Sequence, residues 1–300
     1  MMRRPQIALL AGGKRLHLQD GPIDLIVAAK GREADAHAAY DAAERRFTGL
    51  LDELCAELTE LRKAADPAQT ALKGVVARRM HAAVAPFAAD CFITPMAAVA
   101  GSVAEEILAA MLAAAPLDRA YVNNGGDIAL HLTGREQFTV GLMDRPDAQG
   151  VMRSMTVDAR DSVRGIATSG RHGRSFSLGI ADAVTVLAKT ASQADAAATV
   201  IANAVDLPDH PAILRVPASE LQPDSDLGDR LVTRDVGALT EQEIEGALEA
   251  GRLHAQQLLA AGLIEGAALR LLGGTVVVGA RGIDAPHAVY QHSVRNLLHA

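Results

Sequence analysis

The chain has 300 residues, 49% of them hydrophobic and 22% charged, with a net charge of −7 at neutral pH. That balance specifies a globular protein with a sizeable core, in one large domain or two modest ones. Aromatics make up only 3% and Trp is absent, so stacking platforms for single-stranded nucleic acid are not expected, and the acidic charge argues against a phosphate-backbone binder.

In chain order, Met1 to Pro5 is basic, but the apolar run after it stops at Ala11, too short and strand-like for a secretory segment. A strand meander follows: Ile7 to Ala11, Lys14 to Gln19 and Ile23 to Ala29, separated by Gly12-Gly13 and Asp20-Gly21-Pro22. Residues Glu33 to Ala64 carry helical spacing, with Leu50, Leu51, Leu54, Leu58 and Leu61 on one face. Lys73 to Ala85 is a second helical piece, stopped by Pro86. A loop at Ile93 to Met96 leads into a small-residue helix, Ala97 to Ala114.

Strands are expected at Ala120 to Leu132 with a glycine hinge, Gln137 to Met143, Val151 to Val157, Ser162 to Ala167 and Ala183 to Ala188. A helix over 192–205 precedes a polar, Asp- and Pro-rich loop from Asp206 to Asp229. Glu241 to Ala261 is helical, and Ala267 to Leu272 with Thr275 to Ala280 makes a closing hairpin. Strand runs alternating with long helices give an α+β protein with no clear linker, expected as one unit over 1–300. No short repeat period is present; a two-half architecture with diverged halves stays open. No segment is expected to reach membrane-span length, since Ala82 to Ala89 and Ala109 to Ala115 are short and interrupted. Cys55 and Cys91 are expected to be buried, reduced thiols, and the simplest location is the cytoplasm.

Four segments could carry chemistry. In Tyr121 to Leu130, two apolar runs flank Asn123-Asn124-Gly125-Gly126-Asp127; this is a hairpin signal, and also a place where backbone and a carboxylate can meet a ligand. Thr94 to Ser102 is a run of small residues entering a helix, whose amino terminus attracts anions or simply packs closely. Gly165 to Gly173 runs a strand into Thr168-Ser169-Gly170, a plain turn or a phosphate cradle, with His172 beside it. Asp195, Thr199 and Asn203 fall at i, i+4 and i+8, one polar stripe on an apolar helix. The carboxylate and hydroxyl could share Mg²⁺; alternatively Ser192 and Asp195 form a capping box.

The ordered set resembles the flavin transferase superfamily, the FAD:protein FMN transferases (ApbE-like), and most of all its UPF0280 branch. The residues behind the resemblance are Ile93 to Gly101, Val122 to Leu130, Ala167 to Gly170, Ala181 to Val186 and Ala194 to Thr199, within a core region of about 90–205. The resemblance implies Mg²⁺ held by the Ala97 carbonyl, Asp195 and Thr199. It implies FAD or FMN, or a similar nucleotide-like small molecule, against Thr94, Met96, Asn124, Gly125, Gly126, Asp127, Thr168, Ser169, Gly170 and His172. The implied activity is transfer of FMN to a target-protein Thr with departure of AMP; the alternative is a non-catalytic flavin-binding or assembly module. The chain differs from the family pattern at Thr94 and Ala100, and in the short Arg171 to Ile180 stretch. Neither a nucleic acid nor a membrane partner is expected, while the alanine-rich helices offer surface for a homo-oligomer.

Overall fold

The computed structural model describes residues 5–10, 12–142 and 153–279. Its opening meander is β1 (Gln6–Leu9), β2 (Leu16–Asp20) and β3 (Ile23–Lys30), joined by the expected glycine turns. Leu16, Leu18, Ile23, Leu25 and Val27 are buried while the residues between them are half-buried, as the two-residue period of a strand requires.

The helix expected over Glu33 to Ala64 is three helices: α1 (Glu33–Phe47), α2 (Leu50–Ala56) and α3 (Leu58–Leu61). The chain breaks at Gly49, and Leu50, Leu54 and Leu61 still reach the core. Next come α4 (Val75–Val84), a 3-10 turn at Pro95–Ala98, and α5 (Val99–Ala114). The continuous helical stretch Pro95–Ala114 is 20 residues, long and apolar enough to cross a membrane by length and composition. The expectation that no segment reaches that size is corrected here. In the fold this stretch is a core helix: Val103, Ile107 and Met111 have no exposed surface, and Glu105 and Glu106 pair with Arg79.

Then follow β4 (Arg119–Asn124), β5 (Asp127–Leu132), β6 (Gln137–Leu142), β7 (Arg153–Asp158), β8 (Gly165–Ser169), β9 (Ala183–Ala188) and α6 (Ala191–Ala204). The supposed loop after α6 contains β10 (Ile213–Pro217) and α7 (Ala218–Leu221), and β11 (Leu231–Val236) pairs back onto β10. Helix α8 (Glu241–Ala260) and the hairpin β12 (Gly266–Leu271) with β13 (Gly274–Gly279) complete the order. The outer ends of four expected strands, at Ala11, Met143, Val151 to Met152 and Ala280, lie outside the described residues.

Nine strands form one sheet in the order β1-β2-β3-β4-β5-β8-β9-β12-β13, every neighbouring pair antiparallel. This is the expected α+β, mainly antiparallel architecture. One face carries the helices over two apolar clusters. The first joins α1, α4 and α5 to β2 through β5; the second joins α6 and α8 to β8, β9, β12 and β13. On the other face the β6–β7 pair covers Ile128, Leu130, Ile166 and Leu187. Where the halves meet, β5 and β8 pair only at Ile128↔Ile166 and Ala129↔Gly165. Past that short seam, β5 and β8 diverge toward the chemistry-bearing segments.

Candidate functional site

The Gly-Gly-Asp hinge is a tight hairpin, β4 and β5 closing on the pair Asn124↔Asp127. The Gly126 amide donates to Asn123 Oδ1 at 2.8 Å, and buried Asn124 donates from Nδ2 to the Ala100 carbonyl at 3.2 Å. The second bond ties the turn to the start of α5. Gly125 has φ 65, and a Cβ there would lie 2.2 Å from Nη2 of Arg174. The positive φ favours glycine at this point, while the close atom is the tip of an exposed side chain that can move aside.

Helices α5 and α6 cross at their amino-terminal ends. A Cβ at Gly101 would lie 2.3 Å from the Ala191 carbonyl oxygen, so the contact is open only to glycine. Each helix caps the other. The Gly101 amide donates to Asp195 Oδ2 at 2.9 Å, with the Ala100 amide also bonded to that carboxylate. The Ser192 amide donates to Glu105 Oε1 at 2.6 Å. First-turn amides have no partner within their own helix, and a carboxylate there also meets the positive end of the dipole. The Ser192–Asp195 capping box is not formed. The N-cap of α6 is Thr190, whose hydroxyl accepts from the Gln193 amide at 3.3 Å, and Ser192 is already inside the helix and buried.

Asp127 faces the same spot from the sheet. Its Oδ1 accepts from the Thr168 amide at 3.3 Å, and its charge acts on Asp195. Both carboxylates keep some surface open, yet protein packs densely around them. Desolvation pushes Asp127 up to about 7, against the opposing pull of the Thr168 amide and the Arg174 charge. Desolvation, then the Asp127 charge, raises Asp195 well above the usual carboxylate range, although two amides favour its ionised form. Among the described residues neither has an ion-pair partner. The other crossed cap is the opposite: Glu105 and Glu106 pair with Arg79 at 3.2 and 2.9 Å, and Glu106 also with Arg46 at 2.7 Å. One end of the helix crossing is neutralised by arginine; the other holds two desolvated carboxylates whose protonated forms are favoured.

The remaining expected residues divide. Thr199 follows Asp195 by one turn and is half-buried, and Ala97 sits in the 3-10 turn, its amide on the Thr94 carbonyl at 3.1 Å. Thr168 hydrogen-bonds the Thr185 hydroxyl across the strands at 2.9 Å, with Ser169 half-buried beside it. Gly170 packs on the Asp182 carbonyl. Thr94 is buried, and its hydroxyl is given to Asp226 on the β10–β11 loop. Met96 packs into the α1–α4–α5 core. His172 lies 3.2 Å from Asp182, which also takes Arg171 at 2.6 Å and the Leu272 amide at 2.6 Å. Asn203, third in the polar stripe, faces elsewhere: its Oδ1 accepts from the Leu178 amide at 3.0 Å.

Sequence reasoning gave no role to Arg174, Glu105 or Asp226, and Asp182 entered it only as part of the Ala181 to Val186 motif. Only the cap had a readable signal, since Thr190 followed by Gln193 is a Thr-x-x-Gln helix start. Cys55 and Cys91 are free but exposed, not buried. The Cys91 sulfur turns back to the Phe87 carbonyl, and burial of the thiol itself raises its pKa.

The neighbourhood fits a hard cation. Among the described residues no group of three His, Cys, Asp or Glu side chains forms a metal cluster. Two interacting carboxylates are compatible with Mg²⁺, which binds one or two carboxylates and completes its shell with water and phosphate.

A family model described as AbpE of bacteria matches residues 7–278. A UPF0280 protein of Methanopyrus kandleri is 37% identical over 186 residues, covering 60% of this chain and 69% of that protein. UPF0280 proteins of Methanobrevibacter smithii and Archaeoglobus fulgidus are 36% and 40% identical, over 43% and 38% of this chain and 51% and 45% of their own lengths. Among solved structures, the apo flavinyl transferase ApbE of Pseudomonas stutzeri superposes over 94% of this chain and 96% of its own, at 12% identity and a TM-score of 0.47.

Proposed function

The chain belongs to the bacterial AbpE family and its UPF0280 relatives, and from that premise we propose that it is a cytoplasmic, Mg²⁺-dependent flavin-nucleotide protein of the transferase type. One observation carries this reading: Asp127 of the Gly-Gly-Asp hairpin and Asp195 of α6 meet at the amino terminus of α5, both desolvated and, among the described residues, without an ion-pair partner. A folded protein does not keep two such carboxylates together unless a cation or a proton settles them. The ligand's identity comes from the resemblance of the ordered motifs to the FAD:protein FMN transferases.

Asp195, Thr199 and the Ala97 carbonyl would hold the cation, with Asp127 adding its charge. When bound, Mg²⁺ supplies neutralisation of the pyrophosphate, the leaving side of a phosphoryl transfer. The protein's own residues do the rest. Asp195 is fixed by two helix amides and so presents its remaining oxygen in one direction. Asn124 holds the hairpin to α5, keeping Asp127 opposite Asp195. The Thr168 amide fixes the Asp127 carboxylate. In the transfer, an acceptor hydroxyl would form a bond to the FMN phosphorus as the bridging P–O bond breaks, AMP departing and the hydroxyl proton passing to the leaving phosphate or to solvent.

A non-catalytic flavin-binding role is the second reading. It is favoured by the short stretch after Gly170, which Asp182 and Asn203 tie down and which leaves little chain to build an acceptor platform. Incubation with FAD and Mg²⁺, followed by chromatography for AMP, separates the two. AMP formation that stops with chelator or in Asp195→Asn supports the transferase; bound FAD without AMP supports the binding module. If FAD neither binds nor breaks down, both readings fall.

A further inference from the structure

We propose that Arg174 is the anion-binding residue of this site, holding a phosphate or pyrophosphate group over the Gly125-Gly126 turn. This rests on the reading of the site as one for a nucleotide and a cation.

The two arginines of the segment after Gly170 have opposite fates. Arg171 is sunk into Asp182, with side-chain exposures of 12% and 6% for the pair. Arg174 is exposed, and among the described residues its one hydrogen bond runs from Nη1 to the Pro22 carbonyl at 3.2 Å. A guanidinium has five donors in a planar fork, so most remain for a ligand. No carboxylate among the described residues pairs with it, although Asp127 lies close enough to feel its charge. Its guanidinium lies against the turn, with Nη2 2.2 Å from where a Cβ at position 125 would sit.

The backbone leading into Arg174 is held by two hydrogen bonds. The Arg171 amide donates to the Ala181 carbonyl at 2.9 Å, and the Gly173 amide to the Gly170 carbonyl at 3.0 Å. Phosphate suits the fork better than a lone carboxylate would. A phosphate offers several acceptor oxygens to the free donors of the fork.

The test uses isothermal calorimetry on wild type, Arg174→Ala and Arg174→Lys, with two probes, inorganic pyrophosphate and FAD, each in Mg²⁺. Loss of one charge-assisted fork is expected to weaken pyrophosphate binding about tenfold or more in Arg174→Ala, and less in Arg174→Lys, which keeps the charge without the geometry. Melting temperatures should stay close to wild type, since the side chain is exposed. Equal pyrophosphate affinity in wild type and Arg174→Ala overturns the inference, as does failure of the wild type to bind pyrophosphate. If pyrophosphate binding depends on Arg174 while FAD does not bind, the inference stands and the flavin reading fails.

Discussion

Asp127→Asn is expected to make the metal-free protein more stable at pH 8 while removing its cation-dependent ligand binding. In the folded chain desolvation moves the Asp127 carboxyl from 3.8 up to about 7. A group whose folded pKa is raised favours the folded state fully below its unfolded value, and that advantage is lost as pH rises through the folded one. Metal-free protein should therefore lose stability between about pH 4 and pH 7. At 1.36 kcal/mol per pKa unit the loss is at most about 4 kcal/mol; the open edge of the carboxylate and its coupling to Asp195 bring the expected figure to about 2 kcal/mol. Asparagine carries no charge and can still accept from the Thr168 amide, so it keeps the hairpin without the penalty. The assay is thermal unfolding in chelator from pH 4 to 8. Wild type should fall by about 5 °C over that range relative to Asp127→Asn, and Mg²⁺ should restore most of the difference in wild type only. Parallel pH profiles for the two proteins, or a variant less stable than wild type at pH 8, would refute the reasoning.

Other outcomes follow from the same geometry. Asp195→Asn should keep the fold, because the amide oxygen still accepts from Gly101, but should abolish Mg²⁺-dependent nucleotide binding in a calorimetric titration. Gly101→Ala should cost more than about 2 kcal/mol in denaturant unfolding, since its Cβ would meet backbone of α6 rather than a movable side chain. In α8, Glu243 completes a capping box with Thr240 and bonds His210 at 2.8 Å, which holds its carboxyl down at about 2. Its contribution is present above the ordinary glutamate value and lost as pH falls toward 2; Glu243→Gln should flatten that part of the acid-unfolding curve. Both cysteines should react with a thiol reagent in the native protein, Cys91 more slowly.

Much of the fold was legible because it is local. The period-two burial of β2 and β3 survives in the structure, and of the five spaced leucines Leu50, Leu54 and Leu61 are buried, although the single expected helix is broken into three. The β10–β11 pair was not legible. Only Ile213, Val232 and Val236 bury apolar side chains there, and the Asp and Pro residues between them look like loop. The motif segments were legible in order, and hydrogen bonds link those of Gly101, Asn124, Asp127, Thr168 and Asp195; that they form a site is the proposal. What no local pattern could give was the partner of each group. Asp195 reads as a cap of its own helix but caps α5, 94 positions away in sequence; Thr94 reads as a ligand contact but is spent on Asp226. Such assignments depend on how the two halves of the sheet bring their helices together, and Gly101 decides that only by having no side chain.

The most direct measurement of the central claim is an FAD titration of wild type and Asp195→Asn, followed by flavin fluorescence, with Mg²⁺ present or chelated. Saturable binding in wild type that requires Mg²⁺ and disappears in Asp195→Asn is the expected result. Binding that is absent from wild type, or that is metal-independent and equal in both proteins, would contradict it.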